Sequence, residues 1–172
     1  SRMDGARPDA PIGVFDSGVG GLTVLAALRA RLPRERYLYL GDTARLPYGT
    51  KSGETVVRYA LQAADALVAR GIKALVVACN TASSVALPAI VRRHPRLPAV
   101  GVVEPGAEAA CAATVRAHLA VIATEGTIRG GAYQQAIHAL RPEVRVEGIA
   151  CPMFVALAEE GWNEGGIAEA EQ

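Results

Sequence analysis

Ala74-Leu75-Val76-Val77-Ala78-Cys79-Asn80-Thr81-Ala82-Ser83-Ser84 decides the fold, because an unbroken apolar run ends in a cysteine and opens at once into a polar turn that reads as a helix entry. A short run of this kind suits a strand covered on both faces, and a strand feeding a helix is half of a βα unit. In open α/β sheets ligands sit beyond the carboxyl ends of the strands, and a helix N-terminus favours thiolate over thiol. Cys79 is therefore a candidate reactive group. The competing reading is a small buried hydrophobe, the usual state of a free cysteine.

Further strands are predicted on either side of this run at Ile12 to Asp16, Tyr37 to Gly41, Ala99 to Val103, Leu119 to Ala123 and Val144 to Ile149, with Ala74 to Ala78 between them. Helical spacing marks Leu22 to Leu32 and Thr55 to Arg70, the latter through Val56, Val57, Ala60, Leu61, Ala64, Leu67 and Val68. Gly71 is placed to end that helix, and Pro88 to break the helix that follows Cys79. Gly106 to Val115 and Ala132 to Leu140 complete the set. The alternation predicts an α/β protein of two three-layer domains with mainly parallel sheets. Residues 1–11 form a flexible N-terminal segment, 12–98 a first domain carrying Cys79, and 99–172 a second domain that is incomplete. Met3 reads as the native start. The tail, Glu164 to Gln172, has helical composition but no stop signal, so the chain is expected to end inside an element.

At 172 residues, with 51% apolar and 20% charged side chains, the composition is globular. Eighteen basic residues against seventeen acidic ones leave a charge of +1, which provides no electrostatic footprint for nucleic acid. The apolar runs are too short to cross a bilayer, and Ser1 to Pro11 does not resemble a signal peptide, so a cytoplasmic protein is expected, with neither nucleic-acid nor membrane partners. Three cysteines, Cys79, Cys111 and Cys151, argue for thiols over a disulfide framework. Cys111, set among alanines, reads as packing. His94, His118 and His138 have no ligand spacing, so no metal is assigned.

Strand one ends in Phe15-Asp16-Ser17-Gly18-Val19-Gly20-Gly21-Leu22-Thr23. Gly18 and Gly20 match the first two glycines of a dinucleotide fingerprint, and Asp42 stands near the spacing of a ribose-binding acid. Thr23 occupies the third glycine position, however, and Asp16 would face a pyrophosphate. No lysine follows for a P-loop. A second reading takes Asp16 and Ser17 as side chains delivered to a cleft, with free amides at the helix start binding an anion such as a substrate carboxylate. Strand two ends in Gly41-Asp42-Thr43-Ala44-Arg45-Leu46-Pro47-Tyr48-Gly49, so three strand ends are expected to converge. Asp42 as an N-cap or Asx turn, and Tyr48 as a packed ring with a satisfied hydroxyl, are the plainer alternatives.

Together these segments resemble the glutamate racemases, cofactor-independent enzymes that interconvert L- and D-glutamate for peptidoglycan. Also similar are Glu104-Pro105-Gly106, Thr124-Glu125-Gly126-Thr127-Ile128, Cys151-Pro152-Met153-Phe154-Val155 and Glu159-Glu160-Gly161, so the match runs from Ile12 to Gly161. The resemblance implies an active site in a cleft between two α/β domains. It makes Cys79 one of two catalytic cysteines, Asp16 the acid assisting it, and Glu159 the carboxylate assisting the second. Asp16, Ser17, Tyr48, Gly49, Asn80, Thr81 and Thr124 fall on substrate-binding positions. Glutamate is the implied small-molecule partner, a homodimer is compatible with it, and no cofactor is implied.

Such chemistry removes a proton from an α-carbon beside a carboxylate without a pyridoxal electron sink, so one thiolate must take the proton while a thiol on the opposite face returns another. The family's second cysteine lies in a glycine-cysteine-threonine-histidine-tyrosine-proline segment that the 172 residues do not contain. The chain alone is accordingly expected to be inactive. Cys151 precedes a proline in a different segment and is a poor substitute. A racemase for aspartate or another small carboxylated substrate, a nucleotide-binding domain, and a non-catalytic remnant of the fold remain as alternatives.

Overall fold

A computed structural model describes residues 7–18, 20–115 and 117–150. Its first sheet is parallel throughout, in the order β2-β1-β3-β4, with β1 at Ile12–Asp16, β2 at Tyr37–Gly41, β3 at Ala74–Val77 and β4 at Ala99–Gly101. Phe15 stands opposite Leu40 on one side and Val77 on the other, so the ends of β1, β2 and β3 lie level. That level register is what brings Asp16, Gly41 and the residues after Val77 to one edge. β1 is buried along its whole length, and each fully buried side chain such as Val14 or Phe15 contributes about 1.5–3 kcal/mol.

The helices follow from local signals. α1, Gly21–Arg31, has no side-chain cap at Gly20; Asp16 supplies the acceptor from five residues upstream, its Oδ2 taking the Gly21 amide at 2.9 Å. α2, Gly53–Ala69, is capped by Ser52 and buries Val56, Ala60, Ala63, Ala64 and Leu67 on one face. Gly71, at φ +79°, ends it as expected. Right-handed crossovers put α1 and α2 on opposite faces, since β1 steps to β2 in one direction and β2 to β3 in the other. After β3 the helix is split as Pro88 predicts: α3 is Asn80–Val85 and α4 is Leu87–Arg93, with Pro88 in the first turn of the second.

Three expectations need correction. The strand assigned to the second domain, Ala99–Gly101, pairs with β3, Leu75 facing Ala99, so the division after Pro98 falls inside the first sheet. Next, β4 stops at Gly101 and α5 already runs over Val103–Ala113, because Glu104 and Pro105 suit a first helical turn better than a strand end. Finally, near-continuous apolar sequence does not mean burial on both faces. β5, His118–Ala123, and β6, Arg145–Ala150, form a parallel pair whose one face packs on α5 and on α7, Ala132–Leu140, through Cys111, Leu119, Val121, Ile137 and Val146. Ile122 and Ile149 stand opposite one another on the uncovered face, 59% and 47% exposed among the described residues. Cys111 is packing, as its alanine setting suggested.

α6, Glu125–Gly130, had no helical spacing to announce it; it is six residues long, capped by Thr124 and closed by left-handed Gly131. Most of segment 1–11, which the sequence led us to expect to be flexible, and the tail with Cys151 and Glu159 lie outside the described residues.

Candidate active site

Cys79 sits where β3 hands over to α3, in extended conformation at φ −76° and ψ 124°. It is the N-cap of the helix: Sγ accepts the Ala82 amide at 3.4 Å and donates to Ser17 Oγ at 3.4 Å. The thiol is buried, and that burial pushes its pKa up to about 11, reinforced by the nearby Asp16 charge and opposed by the hydrogen bonds from Ser17 and Ala82. Helix-start stabilisation is therefore present but loses to desolvation, and the resting group is a neutral thiol.

Asp16 and Ser17 are buried beside it. The carboxylate turns into its own loop, Oδ2 accepting from Gly18 N at 3.1 Å as well as from Gly21 N. The Gly18 and Gly21 amides, expected to be free for a substrate anion, are thus taken by an internal one. The closeness is structural: a Cβ on Gly21 would come 2.6 Å from Asp16 Cβ. The same geometry removes the dinucleotide alternative, since a fixed carboxylate fills the turn that would cradle a pyrophosphate. Tyr39, which the sequence did not single out, ties the turn down by donating to Gly18 O at 3.0 Å. Burial, with the Asp16 charge next in size, raises its pKa and keeps that proton in place.

Asp42 neither caps a helix with its side chain nor faces the solvent. Its Oδ2 accepts from Tyr48 Oη and from Arg45 Nε at 2.7 Å, and the Arg45 guanidinium lies 3.9 Å above the Tyr59 ring. Tyr48 is the largest fully buried side chain among the described residues, packed against Phe15 and Tyr59 with ring centroids 6.1 and 5.8 Å away. Its pKa is raised by burial first and by the Asp42 bond second. Of the two readings weighed for Tyr48, the packed ring with a satisfied hydroxyl describes the side chain; what the loop presents to its neighbours is the backbone at Gly49. A Cβ there would meet Thr124 Cβ at 2.4 Å, and one on Gly126 would meet Gly49 O at 3.0 Å.

Thr124 joins Thr81 across the two halves of the chain. Thr81 Oγ1 lies 2.9 Å from Thr124 Oγ1 and 3.2 Å from Thr127 Oγ1, while Thr124 and Thr127 are 2.9 Å apart, closing a buried triangle of hydroxyls. Thr127 was missed as a site residue, although the Thr-x-x-Thr spacing at a helix start is the signal that could have found it. Asn80 follows Cys79 and bonds Tyr133 of α7. Ser17, Cys79, Asn80, Thr81, Gly49 and Thr124 are thereby linked into one region, with Asp16 behind it. Among the described residues no three His, Cys, Asp or Glu side chains cluster as metal ligands. A cavity of about 480 Å³ lies at the opposite edge of the first sheet beside Arg36, Arg70 and Lys73, and contains none of these groups.

A buried thiol with a carboxylate charge nearby and hydroxyl and amide donors beside it can hand a proton to a carbon centre and, once deprotonated, take one back. The Asp/Glu/hydantoin racemase family model matches residues 22–170. A glutamate racemase from Geobacter metallireducens is 58% identical over 157 residues, covering 91% of this chain and 58% of that protein. The glutamate racemase of Francisella tularensis, solved with D-glutamate, superposes at a TM-score of 0.85 and 40% identity over 94% of this chain and 60% of its own. The Escherichia coli glutamate racemase, solved with L-glutamate and the activator UDP-MurNAc-Ala, gives 0.77 and 34% over 92% and 59%. The chain thus spans about three-fifths of the length of these relatives.

Proposed function

We propose that this chain, which belongs to the Asp/Glu/hydantoin racemase family, carries the Cys79 side of a site that interconverts L- and D-glutamate by proton transfer between two cysteines, without cofactor. The observation that carries the reading is Cys79 itself: a thiol at a strand end, hydrogen-bonded to Ser17, whose pKa is raised by burial first and by the nearby Asp16 charge in addition. Glutamate as substrate is supported by relatives named glutamate racemase and by neighbours holding D- and L-glutamate.

In one direction the neutral Cys79 thiol gives its proton to the α-carbanion, forming the C–H bond on its face and leaving a thiolate. In the other direction that thiolate takes the proton back. Because the resting group is a thiol, donation is the step the described geometry is ready for; abstraction requires the thiolate, which Ser17 and the Ala82 amide stabilise. Asp16 stands as the assisting carboxyl, and donors at Ser17, Asn80 and Thr81 would orient the substrate. The partner thiol on the opposite face, with Glu159 beside it, follows from the family resemblance. D-Glutamate for peptidoglycan is the proposed product use, and the cytoplasm the proposed compartment; no described helix is long and apolar enough to cross a membrane.

The test is loss of the α-proton signal of glutamate in deuterated water, catalysed by the whole protein without pyridoxal phosphate and after exhaustive chelation. Exchange should occur with glutamate, not with aspartate, and Cys79→Ser should abolish it because a hydroxyl is far too weak a base. Normal turnover in Cys79→Ser, or dependence on either additive, would end the assignment.

A further inference from the structure

Tyr133 reaches from α7 to the residue beside the reactive thiol. Its hydroxyl donates to Asn80 Oδ1 at 2.6 Å, a contact between positions 53 apart. The ring is wedged against α5, where a Cβ on Gly106 would come 3.1 Å from Cε1, so its direction is set by packing. Burial raises the phenol pKa, a thiolate at Cys79 would raise it further, and the hydroxyl therefore keeps its proton.

A primary amide has an acceptor oxygen and a donor nitrogen on the same carbon, and rotation about its last bond exchanges them. Asn80, itself exposed, opens α3 directly after the buried Cys79, where either orientation would otherwise be open to it. The structure holds one of them, with Oδ1 accepting the phenol proton. Nδ2 then points away from Tyr133 and has no protein acceptor among the described residues. A carboxylate only accepts hydrogen bonds, so a flipped amide would set oxygen against oxygen. We infer that Tyr133 is a positioning residue, whose hydroxyl holds the Asn80 amide with its nitrogen turned towards the carboxylate of the substrate beside Cys79. The inference rests on the racemase reading of the site. Since α7 packs on the β5-β6 pair and α3 follows β3, the bond also makes donor placement depend on both halves of the chain.

Tyr133→Phe keeps the ring and removes the hydroxyl. In the whole protein it should raise KM for glutamate about three- to ten-fold, the size of one hydrogen bond, with a smaller change in kcat. Asn80→Ala should raise KM at least as much, and Tyr133→Phe should add nothing on that background. A purely structural tyrosine would instead lower thermal stability and leave KM alone. An active wild type with unchanged KM in Tyr133→Phe, or additive effects in the double variant, would overturn the inference while leaving the racemase reading intact. A wild type that exchanges no α-proton would overturn both.

Discussion

Cys79 Sγ and Ser17 Oγ, from the ends of neighbouring strands β3 and β1, lie 3.4 Å apart although 62 positions separate them in the chain. The level register of Phe15 with Val77 makes this contact possible, and it places a hydroxyl where it can accept from the thiol or donate to the thiolate.

The first prediction concerns the charge state of Cys79. With the pKa pushed up to about 11, thiolate absorbance in wild type minus Cys79→Ala should appear only at strongly alkaline pH. A free thiol titrates near ~8.5, so above that value the unfolded chain releases a proton that the folded chain keeps. The folded state then binds more protons, and stability falls as pH rises from about 8.5 towards 11, being fully present below that window. Ser17→Ala should move the titration higher still, because the Ser17 bond opposes the effect of burial. A titration below the free-thiol range in the folded wild type would contradict the desolvated setting.

Asp16 serves two purposes that one substitution can separate. Asp16→Asn leaves an oxygen able to accept but removes the charge from both glycine contacts, so amide hydrogen exchange at Gly18 and Gly21 should accelerate and stability should drop by about 1–2 kcal/mol. If the carboxyl also assists proton transfer, turnover falls roughly 10²–10⁴-fold. Faster exchange with unchanged turnover would confine Asp16 to the turn.

Gly49 is expected to tolerate no side chain. Gly49→Ala drives a Cβ to 2.4 Å from Thr124 Cβ, and separating the loop from α6 should cost about 1–3 kcal/mol in denaturant unfolding. Gly53→Ala, with nothing within 4 Å of the new atom, is the control and should be neutral or stabilising. Equal effects at the two positions would mean that the contact is not tight.

Thr127→Val removes one corner of the hydroxyl triangle while keeping its volume, leaving Thr81 and Thr124 a partner short in a buried setting. A loss of about 1–3 kcal/mol is expected, and Thr127→Ser should restore most of it. Thr81→Val combined with Thr127→Val should cost less than the sum of the single changes, which calorimetry of the four forms measures directly.

Local pattern was enough to determine the βα alternation, the strand bounds of β1 and β2, the stop at Gly71 and the break at Pro88, because each depends on side-chain periodicity or on one residue's backbone freedom. Convergence of Asp16, Asp42 and Cys79 at one edge was legible for the same reason: parallel strands entered by right-handed crossovers put all their carboxyl ends on one side. What each side chain does there was not legible. Asp16 turns back into the Gly18 and Gly21 amides, Tyr48 gives its hydroxyl to Asp42, and Thr127 and Tyr133 join groups 46 and 53 positions away. Sheet membership of Ala99–Gly101 and the open face at Ile122 and Ile149 belong to the same class. These outcomes depend on which elements pack against one another, and the balance between burial and hydrogen bonding at Cys79 exists only once that packing has excluded water from the thiol.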